Sequence, residues 1–245
     1  MTGPIDTARR WTGLTAGVAG VFALFHALAS VLGSDRGQAG ISVCAIVVAA
    51  TLAIEWAGFR ASAGVAGRAL GLGQPSIVGL LAAAGACAAL LATVPLYGRA
   101  TGTSMAVMPG ALSLLPGLFA QGGVAEEVLF RSYLFGHLRV GRPFWRAAWL
   151  SMLPFSLVHV PLFFTMPWPV ALAALVLSVI VSFPLAHLFE LGGRTVWPPA
   201  LLHFVVQGTV KVVAFPEDAA VAFPLAWMAA SAVIPWAVFL VPRRT

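Results

Sequence analysis

Residues 76–98 read SIVGLLAAAGACAALLATVPLYG, an apolar stretch without one charged side chain. A helix needs roughly 20 such residues to cross about 30 Å of hydrocarbon, so the stretch is long enough to span a bilayer and too long for a buried strand. Outward from it, breaks rich in Gly, Pro and charge fall at 34–40, 60–75, 99–104, 139–146, 166–169, 191–196 and 216–219. They leave apolar segments at 11–33, 41–59, 76–98, 105–138, 146–165, 169–190, 196–215 and 221–241. The pattern predicts an all-α, polytopic membrane bundle of about eight transmembrane helices, with residues 1–245 forming a single integral membrane domain.

Composition agrees. The chain is 60% hydrophobic and 9% charged, against about 25% charged in a soluble domain, and its mean hydropathy is +0.95. A net charge of +6 could suggest a nucleic-acid partner, but Lys and Arg occur singly or in pairs and build no basic face. The expected partner is the lipid bilayer, with no nucleic acid. Cys44 and Cys87 lie inside apolar runs, where a thiol is a small hydrophobe.

Lys and Arg favour cytoplasmic loops. With the N-terminus inside, one face holds Arg9, Arg10, Arg60, Arg68, Arg139, Arg142, Arg146, Arg194, Arg243 and Arg244, and the other holds Arg36 and Arg99, with Lys211 near it. Both termini are therefore expected in the cytoplasm of a multi-pass protein of the cell membrane, inner or plasma. The run after Arg9 and Arg10 shows no cleavage site and reads as a retained first helix.

Ionisable groups within spans cost about 2.5–3.5 kcal/mol each to insert, so they mark candidate sites. Glu126 and Glu127 lie in GGVAEEVLFR on the fourth segment, His159 in the fifth, and His203 and Gln207 in the seventh. Glu127 and Arg131 are i, i+4 neighbours and should pair. Glu126 is turned roughly 100° away and stays available for proton transfer, as a general base. His159 is placed to share its water if segments four and five pack antiparallel. His203 and Gln207 share one helical face, where both can donate to one oxygen, as an oxyanion hole requires.

At these residues the chain resembles the CPBP intramembrane proteases, also called the Abi or CAAX protease family. Glu126-Glu127-Val128-Leu129-Phe130-Arg131 is similar to the family's EExxxR, Phe155-Ser156-Leu157-Val158-His159 to its FxxxH, and His203 stands in its HxxxN, with Gln207 in place of Asn. The three motifs define an expected catalytic core at 120–210. The resemblance implies an intramembrane endopeptidase in which Glu126 and His159 activate water while His203 and residue 207 stabilise the tetrahedral intermediate. Its substrate would be a membrane-associated protein or peptide, with CAAX-type or C-terminal sorting-signal processing both open. No cofactor is expected. The alternative is zinc held by Glu126, His159 and His203, though no HExxH is present. A transporter or non-catalytic membrane scaffold is the alternative of another class.

His26, His137 and His187 have no motif around them and read as packing or interfacial residues. Glu55, Glu190 and Lys211 fall near span ends, where long polar side chains reach the interface. Gly122 and Gly123 read as points of close helix approach.

Overall fold

A computed structural model describes residues 7–34, 37–58 and 63–242. Helices α1 (Thr7–Val31) and α2 (Gly40–Gly58) precede a short α3 (Ala63–Ala69) and a long α4 (Ile77–Thr101). The fourth apolar segment is one continuous helical run of mixed pitch: α5 (Ala111–Leu118), π-turns at Phe119–Ala125 and Val128–Phe135, then α6 (Gly136–Arg139). Helix α7 (Phe144–Leu157) runs into a 3-10 turn at Val160–Phe164, and α8 (Trp168–Leu191), α9 (Trp197–Val212) and α10 (Ala222–Val233) complete the bundle, the last continuing as a 3-10 turn at Ile234–Leu240. A two-stranded antiparallel ladder pairs β1 (Ala106–Val107) with β2 (Val213–Ala214) and ties the entry of segment four to the end of α9.

Within hydrocarbon every backbone N–H and C=O must find a partner in its own segment, which is why apolar runs of this length become helices. Among the described residues, six stretches are long and apolar enough to cross a membrane: Trp11–Val31, Gly40–Gly58, Ile77–Thr101, Phe144–Phe164, Trp168–Leu191 and Ala222–Leu240. They coincide with six of the eight segments read from sequence. The other two, segment four and α9, are also helical, but the first changes pitch and the second has 16 residues. These two carry most of the candidate site residues. Arg36, Arg60, Arg243 and Arg244, on which the expected orientation partly rests, lie outside the described residues.

The outer faces are apolar, with Leu81, Trp149, Leu153 and Leu157 each more than half exposed, as lipid-facing residues are. Segment four is the opposite. From Gln121 to Phe135 every residue is buried except Glu126. The segment lies between α2 and α9. Its approach to α2 is close because Gly40 and Gly117 lie together: a Cβ on Gly40 would run into the Gly117 backbone, and one on Gly117 into the Gly37 carbonyl. Just before that same end of α2, Ser34 Oγ donates to Gln121 Oε1 (2.7 Å) and Gln121 Nε2 donates to the Ser34 carbonyl (3.2 Å).

Pro116 removes a donor from the α ladder one turn before the first π-turn, and Gly122 and Gly123 weaken the preference for α pitch. π-Turns are rare and concentrate at functional sites. Here they flank the Glu126-Glu127 pair on both sides.

Two groups read as interfacial have partners within the protein. Glu55 is 3% exposed and bonded to His137 Nε2 at 2.7 Å. Glu190 pairs with Arg139 at 2.6 Å. His26 packs edge-on against Phe22, and His187 Nε2 meets the Val241 carbonyl at 3.0 Å.

Candidate active site

Glu126 and Glu127 leave the same turn in different directions and meet different partners. The Glu127 carboxylate is fully buried, with Oε1 2.7 Å from His203 Nδ1 and Oε2 3.3 Å from Arg131 Nε. The contact with Arg131 is an ion pair without hydrogen-bond alignment: Glu127 Oε2 and Arg131 Nη1 and Nη2 have no hydrogen-bond partner. The guanidinium lies flat over the Phe155 ring, 4.0 Å from its centroid. A cation–π contact of that kind compensates part of the desolvation of a buried cation.

Glu126 keeps 17% of its side chain exposed. Its Oε2 is 3.7 Å from His203 Nε2, and its Oε1 is 3.5 Å from Gln207 Nε2, which also donates to the Gly122 carbonyl. A Cβ on Gly122 would overlap the Gln207 amide, and one on Gly123 would lie 2.8 Å from the Ala200 carbonyl. The close helix approach expected of these glycines is present, and at Gly122 it makes room for a site residue.

His159 ends α7, where its Nδ1 donates to the Phe155 carbonyl at 2.8 Å. That bond fixes the neutral tautomer and leaves Nε2 as an acceptor. Phe155 separates the two imidazoles, with its ring centroid 5.2 Å from His159 and 5.7 Å from His203, and packs edge-on against Phe130 of segment four at 5.1 Å. Segments four and five therefore pack together as expected. Glu126, His203 and Arg131 all act electrostatically on His159.

All six candidate residues, Glu126, Glu127, Arg131, His159, His203 and Gln207, thus come from segment four, α7 and α9 and converge on one neighbourhood. The sequence reading did not find a role for Phe155, whose ring supports Arg131 and whose carbonyl orients His159; its place in FxxxH was the available signal. Among the described residues no three His, Cys, Asp or Glu side chains converge in a way that would hold a metal ion.

The fold and this site define a polytopic helical membrane protein with a carboxylate–imidazole centre buried among its spans. Residues 108–209 match the Rce1-like family model, described as type II CAAX prenyl endopeptidase Rce1-like, a family of CAAX-type proteases, which are hydrolases. The match contains all three motifs. No curated protein and no solved structure matches the chain significantly.

Proposed function

We propose that this protein is an intramembrane endopeptidase that hydrolyses a peptide bond in a membrane-associated protein or peptide, with Glu126 as general base. One observation carries the assignment. Along a run of buried residues, Glu126 alone reaches open space, while its neighbour Glu127 is held by Arg131 and His203. A base must meet water; a buried, doubly partnered carboxylate does not.

Water would sit between the Glu126 carboxylate and His159 Nε2. Its oxygen attacks the scissile carbonyl carbon, its proton passes to Glu126, and Glu126 then delivers that proton to the leaving amine as the C–N bond breaks. The carbonyl oxygen becomes an oxyanion facing His203 Nε2 and the Gln207 amide. Glu127, an ionised acceptor, keeps the hydrogen on His203 Nδ1, so Nε2 donates only when the imidazole carries both protons. Gln207, whose amide lies 3.5 Å from Glu126 Oε1, holds Glu126 in register between turnovers. The substrate class is CAAX-type or a C-terminal sorting signal, and the cell membrane is its place of action.

The test compares purified wild type with Glu126→Gln in detergent, using as substrate the peptides that accumulate in membranes of cells carrying the variant. Wild type cleaves them, whereas Glu126→Gln should not, with a melting temperature near that of wild type. Cleavage by Glu126→Gln removes it as the base. In a parallel arm, activity that follows stoichiometric zinc through chelation and re-addition would replace the carboxylate mechanism with a metal-dependent one.

A further inference from the structure

At the arginine-rich end of the bundle, away from Glu126, a cavity of about 510 Å³ opens between α3, the end of segment four and the turn joining α8 to α9. Its walls are mixed. Val65, Val140 and Phe189 supply apolar surface, Arg68 and Arg194 supply charge, and the Glu55–His137 pair lies at its base. Val65 and Val140 are exposed, at 48% and 55%. Both arginines are also exposed, and neither has an ion-pair partner among the described residues. With Glu55 ionised and His137 neutral the cavity still carries a net charge of +1, and with His137 protonated it carries more.

Arg194 is held there against its backbone preference. It is the one non-glycine with positive φ among the described residues (62°), and it follows Gly193 at 73°. The turn is fixed by Arg194 N–H donating to the Phe189 carbonyl (2.9 Å), Thr195 Oγ1 donating to the Gly192 carbonyl (2.8 Å) and Val196 N–H donating to the Gly71 carbonyl (2.9 Å). A glycine would satisfy this geometry without strain. An arginine at such a position points to a use for its side chain. Trp197 follows in sequence and donates Nε1–H to the Gly73 carbonyl at 2.8 Å, placing an interfacial aromatic beside the opening.

We propose that this cavity binds a phosphate-bearing anion, namely the headgroup of an anionic phospholipid, with Arg68 and Arg194 on the phosphate and the acyl chains leaving along Val65 and Val140. Basic pockets between helices at a membrane surface take such headgroups, and the exposed apolar rim beside the charges favours a lipid over a soluble ion.

The full-length protein in neutral detergent is titrated with phosphatidylglycerol or phosphatidylcholine in mixed micelles, following its melting temperature and Trp fluorescence. Phosphatidylglycerol should bind more tightly and less so at high salt. Arg194→Gly and Arg68→Gln should each weaken it about fivefold. Arg194→Gly should fold at least as well as wild type, which separates loss of a ligand contact from loss of structure. Arg99→Gln, an exposed arginine at the opposite end, should bind as wild type. Inorganic phosphate is the second arm: if it alone stabilises wild type, and Arg194→Gly abolishes that effect, the anion is a soluble phosphate at the same site. Binding of phosphatidylglycerol by both cavity variants at wild-type strength, or no preference over phosphatidylcholine, overturns the proposal.

Discussion

Neutralising Glu127 should cost the protein its fold before it costs it chemistry. Glu127 Oε2 and Arg131 Nε are 3.3 Å apart, and the side chains are 0% and 2% exposed. At that distance two unit charges attract by about 5 kcal/mol for an effective dielectric constant near 20. Arg131 Nη1 and Nη2 have no hydrogen-bond partner, so removing the carboxylate leaves a buried guanidinium without its paired charge, over the Phe155 ring. Stranding a buried charge in this way costs about 3–5 kcal/mol. Glu127→Gln and Arg131→Met should therefore each lose about that much in SDS-induced unfolding of the detergent-solubilised protein. The double variant removes both charges and should lose distinctly less than the two single losses combined. Costs that add to within about 0.5 kcal/mol would refute the idea that the pair acts as a unit. Wild-type stability in either single variant would refute the desolvation argument itself.

Gln207→Ala should lower kcat by about 10²–10³ with little change in KM, since its amide acts on charge that develops in the transition state; an effect confined to KM would place Gln207 in ground-state binding. Gly122→Ala puts a methyl where the Gln207 amide lies and should reduce kcat about 10²-fold through misplacement of that side chain; Gly20→Ala, with open space around its Cβ, is the control expected to change nothing. For topology, reporters fused after Arg68 and after Thr245 should both report the cytoplasm, and a signal from the opposite side at either would reverse or break the eight-span reading.

The membrane architecture was legible in the chain alone because it follows from local quantities: run length, hydropathy, and the charge of short gaps. Residues 76–98 predict a span, and Ile77–Thr101 is a helix long and apolar enough to be one. The candidate residues were legible for a related reason. An ionised group in a hydrocarbon solvent is costly enough that Glu126, Glu127 and His203 stand out without any knowledge of their neighbours.

What neighbours decide was not legible. Hydropathy treats Glu55 and Glu126 alike, as acidic residues in apolar surroundings; packing buries the first against His137 and leaves the second partly open beside His203 and Gln207. The π-turns in segment four arise from Pro116, two glycines and the demands of α2 and α9 together, so no one-dimensional period announces them. The division of labour between adjacent glutamates, the tautomer of His159, and the strained Arg194 at a charged cavity all depend on which groups meet across helices. Sequence therefore determined that this chain is a multi-pass membrane protein and which residues stand in the three motifs that the family match contains. Only the tertiary structure decided which carboxylate is locked and which is free, because burial and hydrogen bonding are properties of pairs brought together from distant segments.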